Sequence, residues 1–68
     1  MTNTALLNKY IQNSGLKKAK IAETLGITVF SLAQKINNIR EFKASEIKKL
    51  CDLLGIHESE DKDSVFFA

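Results

Sequence analysis

Lys18-Ala19-Lys20-Ile21-Ala22-Glu23-Thr24-Leu25-Gly26-Ile27-Thr28-Val29-Phe30-Ser31-Leu32-Ala33-Gln34-Lys35 is the stretch whose reading decides the fold. Ile21 and Leu25 are four apart and share one helix face. Ala22 is small, as a close approach by a second helix requires. Gly26 can take the left-handed conformation that ends a helix. Ile27 is an apolar plug in the turn, and Thr28 is a good N-cap for the next helix. Leu32 and Ile36 are again four apart. The pattern predicts two short helices, about Lys18–Leu25 and about Val29–Asn37, joined by a tight glycine turn.

Working outward, Leu6, Leu7, Tyr10 and Ile11 make the apolar stripe of a helix over about Thr4–Asn13. Asn3 or Thr4 can cap it, Ser14-Gly15 ends it, and Leu16 sits where it can staple onto the second helix. Asn38 is placed for the left-handed residue after the third helix. Ile39-Arg40-Glu41-Phe42 reads as a connecting loop with Phe42 turned inward. A fourth helix over about Ala44–Leu54 would bury Ile47, Leu50, Cys51 and Leu54, with Gly55 ending it and Ile56 sealing the end. There is no proline, and no period-2 alternation outside the last few residues. The expected fold class is all-α: a compact domain of four helices, or five if the tail adds one. Residues 1–56 form the domain. Residues 57–68 form an acidic tail, His57 to Ser64, with the apolar terminus Val65-Phe66-Phe67.

At 68 residues the chain is one domain with a small core. Cys51 is the only cysteine, so no disulfide supports it, which suits a reducing compartment. Apolar runs are only a few residues long, too short for a membrane span or a signal-peptide core. The expectation is a soluble cytoplasmic protein. Charge is unevenly distributed. Residues 1–50 carry nine basic and three acidic side chains, a net +6; residues 51–68 carry one and five, a net −4. The basic body could face a polyanion that the acidic tail would avoid, or both could simply be solvated helix surface. Lys17, Lys18 and Lys20 crowd the start of the second helix, where the dipole favours anions. A bound phosphate would reverse that penalty; an exposed helix start would tolerate a few tenths of a kcal/mol, roughly.

Ile21-Ala22, Leu25-Gly26-Ile27-Thr28, Leu32, Ile36-Asn37-Asn38 and the string Glu46 to Ile56 together resemble the small Cro-like and repressor-type helix-turn-helix proteins of phages and prophages. The resemblance covers most of residues 5–56. It implies a sequence-specific binder of double-stranded DNA, an operator, that regulates transcription as a homodimer, since one reading helix covers few base pairs and two half-sites about 34 Å apart are needed. It makes the third helix the reader. Thr28, Val29, Phe30, Ala33 and Gln34 are then the base-reading candidates. Gln34 can pair with adenine N6 and N7, while Val29, Phe30 and Ala33 can meet only thymine methyls, which leans the site toward A·T. Lys17, Lys18, Lys20, Ser31, Asn37, Asn38 and Arg40 are the phosphate candidates, with Thr28 beside them and Lys43, Lys48 and Lys49 less central. The chain departs from the family pattern in four places: Val29 and Phe30 stand where many relatives are polar, Asn38 replaces the usual glycine after the third helix, and two lysines differ. Lys18 stands where many relatives carry Gln or Ser, and Lys35 occupies a slot often apolar, so that Ile36 takes over its packing.

Each candidate also has a plainer reading. Phe30 could pack against the fourth helix or the loop, and Gln34 could be merely solvated. Val65, Phe66 and Phe67 could form a dimer contact across a twofold axis, fold back over their own core, or stay disordered with the acidic segment. A protein-binding module that modulates a repressor or RNA polymerase is the rival function, with Val29 and Phe30 as its apolar anchor. Nothing in the sequence suggests an enzyme, cofactor or small-molecule ligand. There is no nucleophile–base pair and no phosphate-cradling glycine loop. His57 has no partner at metal-ligand spacing, so no metal is expected.

Overall fold

The computed structural model describes residues 1–68 and contains five α-helices and no strand: α1 Thr4–Ser14, α2 Lys18–Leu25, α3 Val29–Ile36, α4 Ala44–Leu54 and α5 Ser59–Phe66. Local chemistry sets most of the ends. Asn3 caps α1 by accepting from the Leu6 N–H at 3.1 Å. Thr28 caps α3 by accepting from the Ser31 N–H at 3.0 Å. Between α2 and α3, Gly26 takes φ 73°, and the Ile27 N–H turns back to the Ala22 carbonyl at 3.0 Å. A residue with a side chain would be strained at that φ. Asn38, at φ 64°, plays the same part after α3 and is the one non-glycine residue with positive φ.

One apolar core joins all five helices. Leu7 and Ile11 of α1, Ile21, Ala22 and Leu25 of α2, Leu32 and Ile36 of α3, Leu50 and Cys51 of α4, Ile56, and Val65 and Phe66 of α5 are buried together. Leu6, Tyr10, Leu16, Phe42, Ile47 and Leu54 pack around its margin. Phe42 does turn inward, and its ring meets Phe66 edge-on at 5.7 Å. Burial pushes the Cys51 thiol pKa up, with Asp52 adding to this and Lys62 opposing it.

Two places go beyond the sequence reading, and the first is a choice between its alternatives. Residues 57–68 fold back over their own core: α5 packs on α1 and delivers Val65 and Phe66 into it. The sequence makes these two dimer-contact candidates. Their side chains are already enclosed by their own chain, and of that trio only Phe67 is exposed. The second place is Lys35. It is buried beside Ile36 rather than replaced by it, at 3% exposure, and its ammonium donates to both oxygens of Glu46 at 2.6 and 2.7 Å. Glu46 also accepts the Lys43 N–H at 2.8 Å, which satisfies one of the free donors at the start of α4.

Candidate functional site

Three inward residues fix how α3 presents itself. Leu32, Lys35 and Ile36 are buried, and an α-helix turns about 100° per residue. Phe30, Ala33, Gln34 and Asn37 therefore share the opposite face. Phe30 is 72% exposed and Val29 48%, so the aromatic is on the surface and not in the core. Ala33 and Gln34 are half-exposed, and Asn37 is exposed. The Gln34 side chain makes no hydrogen bond within the chain; its backbone carbonyl takes the Ile39 N–H at 2.9 Å.

Both ends of α3 are pinned. At its start, the Arg40 guanidinium reaches back to the Ser31 hydroxyl at 3.4 Å, which sets a cation over the first turn. At its end, the Thr4 hydroxyl donates to the Ile36 carbonyl at 2.6 Å, pairing one of the helix's unfilled acceptors. Asn38 completes this tie. Its Oδ1 accepts the Thr2 N–H at 2.8 Å and its Nδ2 donates to the Thr2 carbonyl at 2.8 Å. The sequence reading makes Asn38 a phosphate candidate. Its amide is instead committed to the N-terminal arm, and its work is to hold the end of α3. Along the side of the helix, the Lys35–Glu46 pair prevents rotation without breaking a buried ion pair.

The start of α2 is left open. Lys17, its cap residue, makes no side-chain capping bond, and no acidic residue lies in the first turn. Lys17, Lys18 and Lys20 are all exposed. Lys20 approaches Glu23 at 3.9 Å, but both side chains are well solvated and such a pair contributes little. Apart from Glu23 beside Lys20, no carboxylate approaches the ammonium groups of this turn, which face solvent.

Sequence reasoning passes over two residues that matter here. Ile39 reads only as part of a loop, yet it is 69% exposed just beyond the end of α3. An isoleucine between Asn38 and Arg40 is a usable signal. Glu46 reads only as part of a helix, and its pairing with Lys35 across eleven positions has no periodic signature.

The surface holds donors, cations and apolar groups. The only cysteine is buried, and no three His, Cys, Asp or Glu side chains come together as a metal site would require. A cleft of about 160 Å³ lies between the chain ends, bordered by Met1, Phe42, Ile47 and Phe67. No helix is long and apolar enough to cross a membrane. In comparisons with known proteins, no family model matches this chain, and neither does any curated protein or solved structure.

Proposed function

We propose that this protein is a helix-turn-helix DNA-binding module of the Cro/repressor type, with α2 and α3 as the motif and α3 as the helix that enters the major groove. It acts on double-stranded DNA in the cytoplasm to control transcription, without catalysis. One observation carries the reading: α3 is held at both ends and along its buried side, yet its outward face is committed to nothing in the chain. An exposed helix with a locked axis and cations at the start of the preceding helix suits groove binding. Lys17 and Lys18 would take phosphate at the start of α2. Arg40 and Ser31 would position α3 on the backbone, and Asn37 would do so at its far end. Two copies would be needed to read two half-sites. With Val65 and Phe66 inside the core, Phe67 remains from the tail for a twofold contact, 63% exposed on the same cleft as Met1.

Selection of bound duplexes from a random pool, with titration of the selected duplex at several salt concentrations, tests the reading. Affinity for that duplex should fall linearly on a log–log plot against salt. Gln34→Ala should cost about 1–3 kcal/mol on the selected duplex and relax preference at one base position. Equal losses on selected and random duplexes would remove Gln34 from base reading. Lys18→Ala should weaken all duplexes alike and make the salt slope shallower by about one unit. It should not lower the melting temperature, because a cation at a helix start is unfavourable unless an anion is bound. Sedimentation equilibrium on the parent and on Phe67→Ala reads the dimer. A monomer throughout, for the parent chain, would dismiss the twofold model.

The exposure of Phe30 and Ile39 also favours a second reading, a protein-binding module that modulates a repressor or RNA polymerase. An apolar contact of that kind would be nearly insensitive to salt, whereas phosphate binding is not.

A further inference from the structure

We infer that α3 recognises DNA chiefly through thymine 5-methyl groups, with Phe30 and Val29 as the methyl-contacting surface and Gln34 as the one polar base reader. This rests on the DNA-binding reading above and narrows it to a class of site.

Base edges in the major groove offer hydrogen-bond donors, hydrogen-bond acceptors and the thymine methyl. A protein reads the first two with free polar side chains. On and around α3 these are nearly all spent. The Thr28 oxygen accepts the Ser31 N–H, and the Ser31 oxygen accepts from Arg40. Asn38 is bonded through both ends of its amide to Thr2, and Lys35 is buried against Glu46. Gln34 and Asn37 are left on the same face, one and two turns beyond Phe30, and of the two Gln34 lies nearer the end that contacts bases.

The apolar side chains, by contrast, are unspent. Phe30 and Val29 occupy the first turn of α3, the end from which such helices contact bases. Both are exposed although an all-helical core with buried leucines lies directly behind them. A phenylalanine here cannot accept or donate a hydrogen bond through its side chain. It can cover a methyl, and removing methyl and ring together from water is favourable. The occupant is further specified by charge. The Arg40 guanidinium sits over the same turn, so the apolar surface is bordered by a cation, as suits a methyl presented between phosphates. A wholly apolar protein partner would gain nothing from that border.

The test uses the full chain and the duplex obtained by selection. Each thymine of the half-site is replaced in turn by deoxyuracil, which removes the methyl and keeps the base pair and the groove's donors and acceptors. At one or two positions the replacement should weaken binding about fourfold, the value of roughly one buried methylene-sized group. Exchanging cytosine for 5-methylcytosine at neighbouring positions serves as a comparison on the same groove surface. Phe30→Ala should lose most of the discrimination between thymine and deoxyuracil duplexes, with the parent's salt slope and melting temperature retained, because the ring is exposed in the free chain. Equal affinity of the parent for both duplexes would overturn the inference while leaving DNA binding intact. So would a Phe30→Ala and Val29→Ala double variant that still discriminates. Failure of every duplex to bind with sequence preference would overturn both this inference and the reading beneath it.

Discussion

Glu46→Ala should destabilise the free domain by about 3–5 kcal/mol, because it leaves the Lys35 ammonium buried with no counter-charge. A chain of this length has a total stability of roughly 3–10 kcal/mol, so the variant should be largely unfolded near the upper working temperatures. The contact is bidentate at 2.6 and 2.7 Å, and both side chains are almost wholly inaccessible. It follows that losing one partner is far worse than losing both. Lys35→Met with Glu46→Leu should restore stability to within about 1 kcal/mol of the parent, or exceed it, since a packed apolar pair avoids the desolvation of two ions. Denaturant melts of the parent, the two single variants and the double variant read this directly. Additive losses in the double variant would mean that the pair is not buried as a unit.

The same pair gives the fold an acid limb. Burial raises the Glu46 pKa, but hydrogen bonds from Lys35 and from the Lys43 N–H, with the charges of both lysines, outweigh it and leave the carboxyl below its ordinary value. A depressed carboxyl stabilises the folded state above its unfolded pKa, about 4.3, and that stability is lost as pH falls below this toward the folded value. The double apolar variant should show a flatter stability profile across that window. The pair also bears on the proposed reading helix. It ties α3 to α4, so α3 would keep its outward face fixed before any ligand arrives.

How much of this is legible in the sequence depends on the range of the forces involved. Helices α1 to α4 can be read because their signals are local. Each has apolar residues at three- and four-residue spacing, and a glycine or asparagine able to take positive φ lies at or just beyond its end. The outward face of α3 is legible for the same reason, since Leu32 and Ile36 name the inward side. Lys35 is the exception. A lysine on the buried side is permitted only by a carboxylate from another element, and nothing in the run from Gln34 to Ile47 marks Glu46 as that group. The backbone conformation of Asn38 is legible, but its side-chain partner, Thr2, is 36 positions away. The helix α5 stays only an alternative in the sequence because Ser59 to Ser64 is polar on every face and only its last turn, Val65 and Phe66, reaches the core.

Removing residues 64–68 should melt the domain rather than free it from a partner. Val65 is wholly buried and Phe66 nearly so, and the Phe66 ring packs edge-on against Phe42. The backbone is engaged as well. The Val65 carbonyl accepts the Asn3 N–H at 2.6 Å, the Phe66 carbonyl accepts from the N-terminal ammonium at 3.3 Å, and the Ala68 N–H donates to the Met1 carbonyl at 3.0 Å. Asn3 is also the cap of α1, so this seam connects the last helix to the first. Phe66→Ala alone should cost about 3–5 kcal/mol, the usual range for emptying a buried aromatic site. Phe67→Ala, on an exposed neighbour, should stay within about 0.5 kcal/mol of the parent. The contrast between adjacent phenylalanines separates a core role from a surface one, which truncation by itself does not. Circular dichroism melts of the three variants provide the measurement. If the truncated chain kept full helicity and its melting temperature, α5 would be an appendage to a self-sufficient four-helix core. If Phe66→Ala and Phe67→Ala lost equal stability, the burial that distinguishes the two rings would have no energetic consequence.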